Sequence, residues 1–508
     1  MRSNRPLLAL LLVACSAPSF AQSGAAAERW TPDVPRVWDD AALAALEVPL
    51  ASRAHTPRHV PSDYFYAIPT RTIWRDYPVY HPDHEPPGYW EWLHEQEPEV
   101  AFDPASLETE EDWIRAGELV FRQGNVYTTG SALAFVRDAR GYEEAGVRLT
   151  VDGRFAYARY VVREHGKVEL EVNACAVCHT RVLENGSVLL GGAGDIPLGS
   201  IAAYELRQSV AAGAGDEVLE RDSFEYRTTA APWLDPDPGA FVLGKGPEEL
   251  ARAYASLTPG VFVRQRTSFA HPARVPDLFG VAERRFLDAT GLVEQRSLID
   301  LMRYAALNEG ADELASYAGF RPAAADFAML PDPGTLERSS DEQLYALALF
   351  LESLELPPDP SPSDDAERRG ARLFEEQGCA RCHAPPRYSN DRLLPVAGFE
   401  PPPGDGERYE VVRRHIDTDP GLALRTRRGT GYYKVPSLRG VRHRGPFFHD
   451  GTLASLDDVF DPRRIEADYV PTGFRGPDGE RRTVPGHEYG LDLSAEERAD
   501  LIAFLRSL

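Results

Sequence analysis

The sequence predicts a mainly α-helical protein whose chain contains two similar halves in tandem. The chain has 508 residues, which exceeds the size of one ordinary domain. Hydrophobic residues make up 43% of it, enough to form more than one core. Matched segments also recur in the same order in each half, and each half ends in a segment of helical pattern. These observations together predict the fold class.

The internal repeat includes three pairs of matched segments, and a Gly also follows the Val of each Val-Pro segment by sixteen residues, at Gly291 and Gly451. The first pair shares the spacing G-x-x-x-F, which places Gly and Phe on one face of a helix. The second pair has a cationic residue before Val-Pro, and the third has Ser before acidic residues, as at a helix N-terminus. In chain order the pairs are Gly117–Phe121 with Gly370–Phe374, Arg274–Val281 with Lys434–Val441, and Ser340–Leu354 with Ser494–Leu508. We therefore expect the two halves at residues 105–355 and 364–508, joined by a proline-rich linker over residues 356–363.

The first half differs from the second by an insertion. Phe121 precedes Cys175 by 54 residues, whereas Phe374 precedes Cys379 by 5 residues. Three inserted segments show the alternation of short antiparallel strands and predict a small sheet in this half. They cover residues 146–151, 155–162 and 167–172. Residues 28–104 are rich in Pro, Trp and Tyr with little periodicity, so we expect an arm that wraps the first half.

The N-terminus has the pattern of an export signal. Arg2 and Arg5 precede a short apolar run, and residues 19–21 form a small-x-small cleavage site, which predicts a signal peptide over residues 1–21. Residues 12–15 also resemble a lipobox; in that case the signal is residues 1–14 and Cys15 carries a lipid. Both alternatives export the chain, and the apolar run is too short to span a bilayer. We expect a periplasmic protein that contacts the membrane only in the second alternative, through a lipid at Cys15.

The formal net charge is −24, from 55 cationic and 79 acidic residues. A chain this acidic lacks the electrostatic footprint of a protein that binds nucleic acid or anionic lipid. A basic partner protein would complement the charge, although solubility alone also accounts for it.

All four cysteines beyond Cys15 occur in two motifs of the form C-x-x-C-H. They are Cys175 and Cys178, followed by His179, and Cys379 and Cys382, followed by His383. This pattern is typical of c-type haem attachment, in which two thiols bond to the porphyrin and the adjacent His binds the iron. A redox dithiol would use the cysteines but would leave both histidines without a role. The sequence therefore predicts two covalently bound haem c groups.

The residue in the sixth iron position decides between electron transfer and chemistry with a substrate. For the second haem the candidates are His487, on a Gly-flanked loop, and alternatively His449; no Met lies in the second half. In the first half, Ala289 matches His449 and Pro333 matches His487. Met329 or His271 could serve there, but we expect an open or weakly ligated first haem. No catalytic residue can be assigned from the sequence.

The second half resembles the bacterial di-haem cytochrome c peroxidase superfamily, which also includes methylamine-utilisation enzymes and rubber oxygenases. The resemblance is carried by C-A-R-C-H at 379–383, by residues 432–441 and by G-P-F-F-H-D-G-T-L at 445–453. It is specific over 365–508 and weaker over 105–355. It implies two cytochrome c-like domains, with a reactive haem first and an electron-accepting haem second. It also implies that His179 and His383 are proximal ligands.

The same resemblance implies that residues 486–490 hold the distal His of the relay haem, as in rubber-oxygenase-like members. The chain lacks the distal His segment of the peroxidases after the first motif, which favours the oxygenase-like branch. Family members often hold calcium between the domains, but no ligand cluster assigns such an ion here.

These observations predict a periplasmic di-haem c-type cytochrome with electron transfer activity. It would be an oxidoreductase that uses peroxide or dioxygen at the first haem. The alternative is a pure electron carrier with both haems six-coordinate. The expected partner is a small redox protein, either a cytochrome or a cupredoxin.

Overall fold

The computed structural model describes residues 30–263, 266–322, 329–357, 365–412, 414 and 416–508, with backbone alone at 223, 224 and 227–229. The predicted signal peptide, Cys15 and most of the 356–363 linker lie outside the described residues. Within the described ranges, no helix has both the length and the apolar character needed to cross a membrane.

The described part of the chain is rich in helices, as predicted. In chain order they are α1 Asp40–Leu46, α2 Ser62–Ala67, α3 Tyr89–His94, α4 Glu110–Arg122, α5 Ser131–Val136, α6 Ala139–Ala145, α7 Cys175–Cys178, α8 Leu198–Ala211, α9 Gly215–Thr229, α10 Pro247–Ala255, α11 Leu298–Asn308, α12 Asp341–Ser353, α13 Asp365–Glu376, α14 Asp405–Arg408, α15 Gly421–Leu424, α16 Leu456–Val459 and α17 Ala495–Ser507.

The strands are mostly short. They are β1 Asp76–Tyr80, β2 Tyr127–Thr128, β3 Arg154–Glu164, β4 Lys167–Glu171, β5 Thr180–Val182, β6 Val188–Leu190, β7 Val261–Phe262, β8 Ala273–Arg274, β9 Phe286–Leu287, β10 Val293–Glu294, β11 Leu393–Pro395 and β12 Tyr432–Lys434.

In the first half, helices α4 and α12 cross at very close range. The side chains of Thr109 and Ser340 cap the two helices at their N-termini. A Cβ atom at Gly117 would overlap the carbonyl group of Ala346 and would lie 2.8 Å from the Cβ of Phe350. Only glycine therefore permits this approach.

Helices α13 and α17 cross in the same way in the second half. A Cβ atom at Gly370 would overlap the carbonyl group of Asp500 and would lie 2.7 Å from the Cβ of Phe504. The Phe rings contact at 5.3 Å between centroids for Phe374 and Phe504, and at 5.2 Å for the matching pair in the first half. The repeated G-x-x-x-F segment thus places equivalent residues at both crossings.

The largest sheet has four strands in the order β1-β3-β4-β2, and its neighbouring strands are antiparallel. Strands β3 and β4 are the second and third inserted segments predicted above. The prediction of a strand over residues 146–151 is wrong: this segment has no strand and ends in a turn, and Gly146 takes a left-handed backbone with φ 69° at the end of α6. Strand β1, from the arm, and β2 complete the sheet instead.

The arm packs into the main apolar core together with the first half, and a smaller core lies in the second half. A buried charged cluster joins the arm to the first half. In it, Arg266 donates to Glu47 at 2.8 Å and also pairs with Asp312. Arg427 of the second half is fully buried beside this pair and donates to the carbonyl oxygen of Ala230 at 3.1 Å.

Candidate functional site

The second C-x-x-C-H motif opens onto a cavity of about 300 Å³. Cys379, Cys382 and His383 line it, and so does His487, which is 104 residues further along the chain. Helices α13 and α17 contribute Phe374 and other apolar side chains to its wall. The structure thus brings the two cysteines, the adjacent His and the predicted sixth ligand to one site.

The ring of His383 is held by hydrogen bonds to backbone carbonyl groups. Its Nδ1 donates at 3.1 Å to the oxygen of Pro436 and at 3.2 Å to that of Tyr388. Burial lowers the pKa of His383, so the neutral ring is favoured. With the proton on Nδ1, the lone pair of Nε2 remains for a metal ion, which is the usual arrangement of a ligating His.

His487 faces His383. The centroids of the two rings are 6.4 Å apart, and the ring planes are inclined by 65°. Metal–imidazole bonds of about 2 Å would place the centroids of two ligating rings about 6 Å apart on opposite sides of one ion. The Nδ1 atom of His487 is buried and has no hydrogen-bond partner among the described residues. Burial also lowers the pKa of His487 to about 4. The pair therefore fits an iron bound by both rings.

The loop that carries His487 has an unusual backbone. Gly486 and His487 have φ values of 81° and 48°, and a Cβ atom at Gly486 would overlap the backbone of Asp417 and Thr418. A left-handed backbone is costly at a non-glycine residue and persists only when its surroundings enforce it. One contact that does so is the hydrogen bond of 2.7 Å from the His487 amide to the oxygen of Ile416.

Arg464 is the second support of this loop. Its guanidinium is fully buried and donates to three carbonyl oxygens: Val459 at 2.9 Å, Val484 at 2.6 Å and His487 at 2.8 Å. It also lies 5.4 Å from the ring centroid of Phe448, which in turn lies 6.3 Å from the His487 ring. The sequence analysis did not single out Arg464, because nothing in the local sequence shows which carbonyl groups it meets.

His449, the alternative ligand, also lines the cavity but has other neighbours. Its ring stacks on Tyr433 with 4.4 Å between centroids, and its Nε2 is 3.9 Å from a carboxylate oxygen of both Asp419 and Asp450. These three residues could offer ligand atoms to a metal ion. Arg481 contacts both carboxylates, however, and calcium prefers oxygen ligands to imidazole. This cluster therefore does not supply a suitable set of ligands for the calcium ion considered in the sequence analysis.

Cationic side chains gather on one wall of the cavity around Asp277. They are Arg274, Arg284, Lys434 and Arg444. Burial lowers the pKa of Lys434 to about 7 and that of Arg274 to about 10. An excess of positive charge in a partly buried cavity favours an anionic ligand. The two propionate groups of a haem have the required charge.

The first motif lies against the main core. Its residues Ala176 and Val177 are 4% and 8% exposed, whereas Arg381 at the matching place in the second motif is exposed. The Nδ1 of His179 donates at 3.0 Å to the carbonyl oxygen of Pro276. This bond repeats the one from His383 to Pro436, so the Val-Pro segments of the internal repeat orient the histidines of both motifs.

Two residues named above as possible ligands of the first haem lie in different surroundings. Met329 is 70% exposed, which does not suit an iron ligand. His271 is half-buried next to Gly421, and its pKa is lowered to about 4 by burial.

Comparison with curated proteins gives relatives of one kind. The chain is 31% identical over 163 residues to cytochrome c peroxidase IdrP1 of Denitromonas iodatirespirans, which covers 29% of this chain and 40% of the relative. It is 30% identical over 154 residues to the methylamine utilization protein MauG of Methylorubrum extorquens, and the match covers 28% of this chain and 34% of the relative. It is 27% identical over 188 residues to cytochrome c551 peroxidase of Nitrosomonas europaea, and the match covers 34% of this chain and 46% of the relative. Part of the chain is thus similar to di-haem cytochrome c peroxidases. The resemblance stated from the sequence is confirmed, at modest identity.

The matched region spans less than half the length of each of these relatives. No family model matches the chain. Among solved structures, a hydrazine synthase of Kuenenia stuttgartiensis is 17% identical with a TM-score of 0.28, covering 56% of this chain and 86% of that one. A MauG-like protein associated with microbial copper homeostasis is 19% identical with a TM-score of 0.29, covering 57% and 88%. Both scores are too low to establish a shared fold.

Proposed function

We propose that the chain is a periplasmic di-haem c-type oxidoreductase. It would accept electrons at the haem held by Cys379, Cys382 and His383, and act on peroxide or dioxygen at the haem held by the first motif. The observation that carries the proposal is the opposed pair His383 and His487 beside both cysteines of one cavity. The relatives, which are named as cytochrome c peroxidases and MauG, support a haem-binding redox role.

The two haem sites would have different functions because their residues differ. A haem supplies one-electron chemistry when bound, and its sixth position decides whether a substrate can reach the iron. At the second site, His383 and His487 would both hold the iron, which favours a relay. At the first site, Ala289 and Pro333 stand where the second half has His449 and His487. We therefore propose an open sixth position beside His179.

The second site is also the one that a partner protein can reach. Arg381, between its two cysteines, is exposed, and Arg414 is exposed near Cys382, whereas the matching segment of the first motif is buried. Residues 1–363 carry 32 cationic and 54 acidic side chains, but residues 364–508 carry 23 and 25. The acidic excess thus lies almost entirely outside the second half. In place of the basic partner expected from the net charge of the whole chain, we propose as donor a small cytochrome or cupredoxin whose docking face is acidic and complements these arginines.

The spin state of each haem tests the proposal. The resting oxidised protein should show one low-spin haem from the second site and one high-spin haem from the first. Replacement His487→Ala should convert the second haem to high spin, while His449→Ala should leave it low-spin. The reverse pattern would assign the ligand to His449. Wholly low-spin protein would favour the pure carrier, and colourless protein, after expression in a host that matures c-type cytochromes, would refute haem attachment altogether.

A further inference from the structure

Asp277 is next in the chain to the residue whose carbonyl oxygen binds the ring of His179. His179 donates to the carbonyl oxygen of Pro276, and Asp277 is the next residue. His383 donates to the carbonyl oxygen of Pro436, and Ser437 is the next residue. The two Val-Pro segments therefore end in equivalent positions, one carrying a carboxylate and the other a hydroxyl group.

Arg444 joins these two positions. Its Nε lies 2.6 Å from Oδ2 of Asp277, and its Nη2 donates at 3.2 Å to Oδ1 of the same carboxylate. Its Nη1 donates to the carbonyl oxygen of Ser437. Arg444 thus contacts the residue after the Pro in both halves of the repeat.

Arg284 is the equivalent of Arg444 in the first half, since both follow the Val of their Val-Pro segment by nine residues. Arg284 donates to the carbonyl oxygen of Asp277 at 2.7 Å, as Arg444 does to that of Ser437, and also to the Asp277 carboxylate at 2.7 Å. One carboxylate is therefore bound by the same arginine of each half. Of these two arginines, only Arg444 connects the halves, because Arg284 makes these bonds within its own segment.

The pair is buried and charged. The side chains of Asp277 and Arg444 are 5% and 7% exposed. Burial alone would raise the pKa of Asp277, but Arg444 and Arg284 lower it to about 2. Loss of the Asp277 carboxylate would leave the buried Arg444 without its counter-ion, so the ion pair is a fixed part of the fold.

We propose that this pair is the route by which electrons pass between the two haem sites. The route runs from the His383 ring through the carbonyl group of Pro436 to Ser437, across Arg444 to Asp277, and through Pro276 to the His179 ring. Electronic coupling decays less through covalent and hydrogen bonds than through empty space, and every step of this route is one or the other. One electron leaves the second site and arrives at the first; no bond forms or breaks, and the donor is a one-electron redox protein. The inference rests on the proposed function above.

The rate of electron transfer between the sites tests the route. The holoprotein is reduced at the second haem by a pulse of photoreduced flavin, and reoxidation of that haem by the first is followed by absorbance. In Arg444→Lys, one ammonium keeps the charge but cannot reach both the Asp277 carboxylate and the Ser437 carbonyl group. We expect the rate to fall at least tenfold. Arg439→Lys is the matched control: Arg439 also pairs across the two halves, with Glu283 at 3.2 Å, but it is not on the route, so the rate should change less than twofold.

The midpoint potentials of both haems are measured in each variant, since driving force also sets the rate. An Arg444→Lys rate within twofold of the parent protein, or a slower rate that the potentials fully explain, would overturn the route. Asp277→Asn keeps the shape of the side chain but removes the charge that Arg444 binds, so slowing is again expected, and an unchanged rate would also contradict the route. Failure of the proposed function would look different, because the parent protein would then lack a low-spin second haem or would not reduce it.

Discussion

Replacement of Arg464 by Met should loosen the loop that presents His487. The guanidinium of Arg464 donates to the carbonyl oxygens of Val459, Val484 and His487 and is fully buried. Methionine fills a similar volume without donating a hydrogen bond. The three carbonyl groups would therefore lose their partner inside the protein.

The magnitude follows from those three bonds. A buried acceptor left without a donor costs about 1–3 kcal/mol. The lower end of this range applies because the replacement also removes a guanidinium whose pKa burial has lowered, and so relieves its own desolvation. We expect the free energy of unfolding to fall by about 3 kcal/mol, taking about 1 kcal/mol for each carbonyl group.

Two measurements check this prediction: denaturant unfolding and the spin state of the second haem. Arg464→Met should show both the loss of stability and a new high-spin component, and Arg464→Lys should lie between it and the parent. The neighbouring Arg463 provides the control, since its side chain is 67% exposed and pairs only with Glu466, at 3.7 Å, among the described residues. Arg463→Met should change stability by less than about 0.5 kcal/mol. If Arg464→Met matched Arg463→Met in both measurements, the reasoning about the His487 loop would be wrong.

Three further predictions concern helix packing, a buried acid and the docking face. Gly370→Ala should lower the free energy of unfolding by at least about 1–3 kcal/mol, because the new Cβ would overlap the Asp500 carbonyl group. The control is Gly406→Ala in α14, whose Cβ would meet nothing within 4 Å and should not destabilise the protein. Thermal unfolding distinguishes the two variants. Burial raises the pKa of Glu171 from 4.5 to about 7, so the free energy of unfolding should decrease as pH rises through this window. In Glu171→Gln this decrease should be smaller by about 3 kcal/mol, as measured by denaturant titrations between pH 4 and 8. Arg381→Glu should slow electron exchange with an acidic plastocyanin-type cupredoxin roughly tenfold at low ionic strength, as measured by stopped flow. The difference from the parent protein should disappear near about 1 M salt, because salt screens the charges. An equal effect at both salt concentrations would contradict the prediction of an electrostatic docking face.

The sequence by itself predicted the haem chemistry and showed the repeat. Spacing within C-x-x-C-H is local, so Cys175, Cys178 and His179 could be assigned without any tertiary contact. The G-x-x-x-F segments likewise predict their role, because helix periodicity places Gly117 and Phe121 on one face. His487 was also a candidate from the sequence, since its loop is flanked by glycines.

The tertiary structure decided what depends on contacts between distant segments. His487 rather than His449 faces His383 because the 486–490 loop is bound to residues 416–418 and to Arg464, contacts that no local pattern encodes. The sheet contains β1 from the arm and not residues 146–151. Strand pairing depends on the neighbouring strand edge as well as on the alternation of apolar and polar residues. The link from Asp277 to Arg444 spans 167 residues of sequence, and folding alone brings these charges together.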